Sequence, residues 1–268
     1  MRDAEASGFG RVDVFGGLVL SRMVRSSHRF DTHAHSTFVL QRVDAGVIEF
    51  DCRGRCWRAA PGDLVLIDPD EAHTGRPFDG APVSYRTLYP SRAALGAIVG
   101  EAGCGGLFDE CVRSDPRLAG SFDRAFEALR HGRRSEAVDA AISFGGVLRE
   151  VAPVTGRPAR SEGGPDLDHA RAIIRDSLPT GIAGDDLAAR LGMHPVHLIR
   201  SFRARFGITP HQYELSLRVE LARDALLRGC TVVAAACEAG FYDQAHMTKH
   251  FKRRFAVTPA RFRRSLVL

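Results

Sequence analysis

The sequence predicts two domains of opposite class, an all-β barrel with appended α-helices followed by an all-α domain of two helix-turn-helix units joined by a linker helix. Three observations carry this. Residues 187–264 contain themselves twice, because Phe202-Arg203-Ala204-Arg205-Phe206-Gly207-Ile208-Thr209-Pro210 returns as Phe251-Lys252-Arg253-Arg254-Phe255-Ala256-Val257-Thr258-Pro259 at an offset of 49. Residues 18–88 instead form short apolar runs broken by Gly, Pro and Asp. Charge also divides along the chain, with fourteen Lys/Arg against seven Asp/Glu from Asp185 onward, a net of +7, while the total is +5 and the remainder therefore −2.

In chain order, strands are predicted at 18–24, 38–43, 47–52, 55–59, 64–67 and 83–88. Turns come from Asp44-Ala45-Gly46, Arg53-Gly54 and Pro61-Gly62-Asp63. Short strands at this spacing argue a small barrel or jelly roll whose mouth or interior suits a small ligand. A short helix is predicted at 91–99, and helical spacing of Leu118, Phe122, Phe126 and Leu129, then of Val138, Ile142, Val147 and Leu148, predicts two longer ones. The run Thr155-Gly156-Arg157-Pro158-Ala159-Arg160-Ser161-Glu162-Gly163-Gly164 reads as a mobile linker. The domains are accordingly 1–152 (barrel about 12–90, helices about 91–150), a linker at 153–166, and 167–268.

Each C-terminal unit reads as helix, turn, helix. In the first, Asp185 is the expected cap of a helix carrying Leu187, Ala188 and Leu191; Gly192 supplies the turn and Pro195 opens the second helix. Leu198, Phe202 and Phe206 make its buried stripe. In the second, Thr231 caps, Gly240 turns, and Asp243 caps a helix burying Met247, Phe251 and Phe255. Between the units a helix over 212–227 carries Tyr213, Leu217, Leu221 and Ala225 on one stripe and is roughly 24 Å long at about 1.5 Å per residue. Such a spacer sets two reading heads at a fixed separation, and heads near ~34 Å apart enter successive major-groove segments of one duplex.

At 100° per residue, Val196, His197, Arg200, Arg203 and Ala204 lie opposite the first stripe, and Ala245, His246, Lys249, Lys252 and Arg253 opposite the second. Both faces combine cations with groups able to touch base edges. A solvated basic face is the bland alternative, and the doubled motif argues against it. A basic C-terminal part on a nearly neutral body points to double-stranded DNA as partner, with steep salt dependence.

The C-terminal segment resembles the DNA-binding domain of the AraC family of bacterial transcriptional regulators. The resemblance rests on Leu187-Ala188-Ala189-Arg190-Leu191-Gly192, the two Phe-to-Pro motifs, Arg218-Val219-Glu220-Leu221-Ala222 and Ala239-Gly240-Phe241. It implies base-facing positions at Val196, Ile199 and Arg200, and at Gln244, Ala245, His246 and Lys249; periodicity alone leaves Ile199 on the flank. It also implies control by a small-molecule effector, activation of nearby promoters through RNA polymerase, and a homodimer joined through the region between the barrel and the linker. Three departures stand out: His194 where the family has a Ser cap, Ala256 where Gly207 stands in the first unit, and the choices Tyr242, Cys237 and Ala234 to Ala236.

The N-terminal pattern of His33-Ala34-His35, Gly46, Pro61-Gly62-Asp63 and the stretch from Pro69 to His73 resembles the cupin sensor domain of that family, making the barrel cupin-like. On an extended segment His33 and His35 point to one side. Three readings of His33, His35 and His73 stay open: polar contacts to an organic effector, ligands to a divalent metal, or a structural role. Metal-binding cupins add a carboxylate shortly after the His-x-His pair, where this chain has Val39 and Leu40. Arg86, flanked by Tyr85 and Tyr89, is a candidate partner for an effector carboxylate or phosphate or a plain surface arginine, and Trp57 a candidate stacking platform or a core residue.

No catalytic constellation emerges, so the expectation is a regulator and not an enzyme. A metal-dependent cupin enzyme with a DNA-targeting domain and an effector-independent DNA binder are the alternatives. The six cysteines are scattered, and Cys52 and Cys56 have no second pair to complete a zinc spacing. No apolar run reaches ~18 residues and residues 1–5 carry no signal-like apolar core, which makes the cytoplasm the expected location.

Overall fold

The computed structural model describes residues 8–100, 107–152, 154–155 and 166–266. Its strands are β1 (Gly8–Val12), β2 (Leu18–Ser26), β3 (Phe30–His33), β4 (Val39–Ala45), β5 (Ile48–Cys52), β6 (Arg55–Ala59), β7 (Leu64–Ile67), β8 (His73–Pro77), β9 (Val83–Tyr89), β10 (Leu107–Phe108), β11 (Val112–Arg113) and β12 (Val154–Thr155). Its helices are α1 (Arg92–Val99), α2 (Pro116–His131), α3 (Arg134–Val151), α4 (Leu167–Asp176), α5 (Gly184–Arg190), α6 (Pro195–Phe206), α7 (Pro210–Leu227), α8 (Val232–Glu238), α9 (Gln244–Phe255) and α10 (Pro259–Arg264).

The N-terminal strands divide between a six-stranded sheet, β1-β2-β9-β4-β7-β11, and a four-stranded sheet, β3-β8-β5-β6. All six predicted strands are present, with ends moved by up to two residues. Others were not legible. β1 is glycine-rich, and β3 (Phe-Asp-Thr-His) and β8 (His-Thr-Gly-Arg-Pro) show no apolar alternation. Their pairing is tertiary: His33 lies opposite His73 across the β3–β8 ladder.

Two faces of the six-stranded sheet are used. Leu18, Leu20, Leu40, Leu64, Leu66 and Leu88 pack under α1, α2 and α3 with Phe122, Phe126, Phe144 and Leu148. The other face joins the four-stranded sheet through Val43, Ile48, Phe50, Val65 and Ile67, and this core runs on into Val219, Met247, Phe251 and Phe262 of the helical domain. Phe9 of β1 seals the junction, its ring 4.5 Å from that of Phe262. Burial of such side chains is worth about 1.5–3 kcal/mol each.

Local sequence explains most helix ends. Asp115, Thr209, Thr231, Asp243 and Thr258 each accept a backbone N–H in the first turn that follows. Thr209 and Gln212 complete a capping box on α7. Asp185 is not a cap: Ala183 holds that position in α5, and Asp185 and Asp186 sit in the first turn, where they favour the helix dipole. The expected linker falls mostly on 156–165, outside the described residues, while Val154 and Thr155 pair with Phe108 and Leu107.

The α7 stripe also differs from expectation. Leu221 is 36% exposed, whereas Val219, Glu220, Ala222, Arg223 and Leu226 are buried beside Tyr213, Leu217 and Ala225. This spacer is gripped from several sides, by α4 and α6 of the first unit, by α8, α9 and α10 of the second, and by β3 of the sensor. At 18 residues it spans about 27 Å. No described helix is long and apolar enough to cross a membrane.

Candidate functional site

Two surfaces carry chemistry. The first is the pair of second helices, α6 and α9. Pro195 occupies the first turn of α6, and His194 does cap it, its Nδ1 accepting the Val196 N–H at 3.3 Å. Asp243 accepts the His246 N–H at 2.6 Å. Leu198 and Phe202 on α6, and Met247, Phe251 and Phe255 on α9, hold each helix down. The opposite faces are open: Val196, His197, Ile199, Arg200, Arg203 and Ala204 on α6, and Gln244, Ala245, His246, Lys249, Lys252 and Arg253 on α9 are all exposed. Ile199, flanking by periodicity, is 46% exposed. Tyr242, one of the departures from the family pattern, is 95% exposed in the turn before α9 and joins this surface.

The second is a cavity between the two β-sheets of about 630 Å³, open solvent at its mouth included. Val39, Ile48, Phe50, Val65, Ile67 and Val83 form its apolar floor, and His33, His35, His73, Tyr85, Tyr89 and Arg76 much of its polar rim. One further rim residue, Arg254, comes from α9.

The three histidines converge. Their nearest ring nitrogens all lie within 4.8 Å of one another, and all three residues are buried. His33 comes from the end of β3, His73 from the start of β8, and His35 from the loop just after β3, its ring stacked 5.2 Å from that of His73. His33 Nδ1 donates to the Asp31 carbonyl at 2.6 Å and His73 Nδ1 to the Glu71 carbonyl at 2.9 Å. His35 Nδ1 donates to Glu220 Oε1 of α7 at 3.1 Å, and Glu220 Oε2 accepts from the Ser36 N–H at 2.9 Å and the Ser36 hydroxyl at 2.6 Å. Arg254 Nη2 lies against both ring nitrogens of His35, Nδ1 and Nε2, and is 2.6 Å from Nε2.

Burial sets the charge state of this cluster. Desolvation first, then the Arg254 charge, holds His33 and His35 well below the ordinary histidine range, and desolvation pushes His73 down to about 4. All three are neutral at pH 7. Arg254 is itself brought down to about 10 by burial, against the pull of Glu220. Its counterpart in the repeat, Arg205, is exposed and pairs with Asp168, so one motif position serves two environments.

A second contact clasps the domains. Asp70, buried after β7, accepts the Tyr213 hydroxyl of α7 at 2.6 Å and Arg175 Nη1 of α4 at 2.8 Å. His28 Nε2 donates to the Arg253 carbonyl at 2.8 Å.

Of the proposed effector contacts, His33, His35, His73 and Tyr85 line the cavity; Arg86 and Trp57 do not. The Arg86 guanidinium pairs with Asp44 at 2.7 Å and Asp123 at 2.6 Å, which leaves its charge satisfied on the side facing α2. Trp57 donates its indole N–H to the Cys52 carbonyl at 3.2 Å beneath Arg55. The sequence reading missed Glu220, Arg254 and Asp70. Only Glu220 and Arg254 leave a faint trace, as charges on helices whose burial comes from another domain.

Residues 16–143 match the family described as AraC-like ligand binding domain, and residues 187–265 match a helix-turn-helix domain family. An uncharacterized HTH-type transcriptional regulator, YbfI of Bacillus subtilis, is 26% identical over 225 residues, 82% of each chain. The MmsAB operon regulatory protein of Pseudomonas aeruginosa is 27% identical over 226 residues, 82% of this chain and 72% of its own. The crystal structure of unsaturated fatty acid bound ToxT from Vibrio cholerae superposes with a TM-score of 0.60 at 12% identity, covering 98% of this chain and 97% of that one, a likeness of fold.

Proposed function

The chain belongs to the AraC family of transcriptional regulators, and from that premise we propose that a small molecule in the inter-sheet cavity controls how α6 and α9 are presented to DNA. The observation that carries this is the cavity wall itself, which includes the Arg254 side chain of α9. A ligand touching Arg254 touches the reading head directly, so its affinity differs between docked and undocked arrangements of the helical domain. That difference is what an effector needs in order to shift populations.

The lining points to an effector with an apolar body and an anionic head, the body on Val39, Ile48, Phe50 and Ile67 and the head toward Arg254. The fatty acid in the ToxT structure is of this chemistry. The residues meeting bases are Val196, Ile199, Arg200, Gln244, Ala245, His246 and Lys249, with His197, Arg203, Lys252 and Arg253 toward the phosphates. The working form is a cytoplasmic homodimer joined through α2 and α3, where Ile142 is 48% exposed, and it activates transcription through RNA polymerase. The sensing unit is 1–152 and the reading unit 167–268.

The test is a footprint of purified protein on the intergenic DNA beside its own gene, with and without medium-chain and long-chain carboxylates. Protection whose extent or position changes with a carboxylate supports the proposal. Protection indifferent to every carboxylate rejects the effector class, and no protection under any condition rejects the reading heads.

A further inference from the structure

The histidine cluster has a feature that an organic ligand does not require. All three imidazoles have Nδ1 anchored to an oxygen acceptor, two on the carbonyls of Asp31 and Glu71 and one on the Glu220 carboxylate. Each therefore offers an unprotonated Nε2 inside a buried pocket. Outer-shell anchoring of one ring nitrogen to a carbonyl or carboxylate is the arrangement that orients histidines for metal ligation. Three imidazoles with an open fourth position suit zinc and its divalent d-block neighbours. Metal–nitrogen bonds of about 2.0–2.1 Å bring ligand nitrogens to roughly 3.3 Å apart in a tetrahedral site, so nitrogens within 4.8 Å need only a modest contraction.

We propose that His33, His35 and His73 form a binding site for one divalent d-block metal ion, and that Arg254 of the reading helix α9 is its tethered competitor. The Arg254 guanidinium lies against both ring nitrogens of His35, in the buried space an ion bound to the triad would enter, so metal and guanidinium compete for one pocket. Two cations in one low-dielectric pocket also repel. Glu220 behaves oppositely, since its bond to His35 Nδ1 persists with the ion and gains from its charge. Metal entry thus keeps α7 on the sensor and releases the Arg254 anchor of α9. The second reading head becomes responsive to the ion.

The carboxylate missing after His35 in sequence is thereby supplied, as an orienting group, from 185 residues away. This inference rests on the regulator reading only for its consequence on DNA; ion binding is tested without DNA.

The experiment is a cobalt(II) titration of chelator-treated full-length protein, followed by visible absorption, with zinc(II) displacing cobalt for affinity. The expected result is one ion per chain with the intense bands of a low-coordinate nitrogen site. His73→Ala abolishes those bands, and Glu220→Gln weakens affinity by about 10–100-fold. Arg254→Met removes the competitor; if Arg254 holds the triad nine-tenths of the time, affinity tightens about tenfold. Arg254→Gln is the second replacement should the methionine variant not fold. Absence of a stoichiometric ion from folded wild-type protein overturns the site. Equal affinity in wild type and in the folded Arg254 variant overturns the competition. Failure of the regulator reading would show separately, as metal-free protein that protects no DNA.

Discussion

The Asp70 clasp sets the coupling between the two domains, and Tyr213→Phe probes it with the least disturbance. Tyr213 is 1% exposed, and its ring packs 6.0 Å from that of Phe202, so phenylalanine keeps the packing and deletes one hydrogen bond. That bond joins a hydroxyl to a carboxylate that is 5% exposed, and bonds to charged groups contribute about 1.5–3 kcal/mol. About 2 kcal/mol lowers the docked-to-undocked ratio roughly 30-fold. Asp70→Asn, which tolerates the φ of +67° at this position, weakens both the Tyr213 and the Arg175 contacts and should cost about 2–3 kcal/mol. The two share a partner, so the double variant should fall short of additivity by about 1 kcal/mol. Urea unfolding of the four proteins measures the cycle, and amide exchange in β3 and α7 locates it. A Tyr213→Phe protein within about 0.5 kcal/mol of wild type, with an additive cycle, would refute the claim that this clasp holds the domains together.

Other outcomes follow from the same structure. Arg200→Ala and Lys249→Ala should each lose about 1–3 kcal/mol of specific DNA affinity in gel-shift titrations, with relaxed base preference at the position touched. Unchanged affinity and footprint in both would remove α6 and α9 as the reading helices. Ala256, at φ +60°, occupies the left-handed position that Gly207 fills in the first unit, so Ala256→Gly should raise stability by about 1 kcal/mol, read as a thermal midpoint a few degrees higher. Acid should weaken the metal-free protein. His73 is neutral when folded down to about pH 4 but takes a proton near 6.5 when unfolded, so the unfolded state binds more protons between those values. Stability present above pH 6.5 is then lost as pH falls toward 4, by up to about 3 kcal/mol from His73, with His33 and His35 acting in the same direction. A flat stability profile over that window in chelator would contradict neutral burial of the cluster.

Much of the architecture was legible because it is locally encoded. The 49-residue repeat, the Thr-Pro and Asp caps and the Phe-every-four stripes act within one or two turns, so α6, α7 and α9 could be placed to within two residues and their open faces named. The six predicted strands were legible for a similar reason, since alternating apolar side chains and glycine turns are properties of short windows. By contrast, β3 and β8 carry no such pattern; they are strands because β8 pairs with β5 on one side and with β3 on the other, and that second pairing is what sets His33 opposite His73.

Residue types alone thus determined a DNA-reading domain behind a histidine-bearing β domain. Tertiary structure decided which charges those histidines meet. Glu220 and Arg254 lie 185 and 219 residues from His35, and one position of a repeated motif became a buried cavity wall while its twin stayed in solvent. The physical reason is that burial is a property of the assembled surface: α7 and α9 each present a second face to the sensor, and no periodicity within a helix records what will cover it.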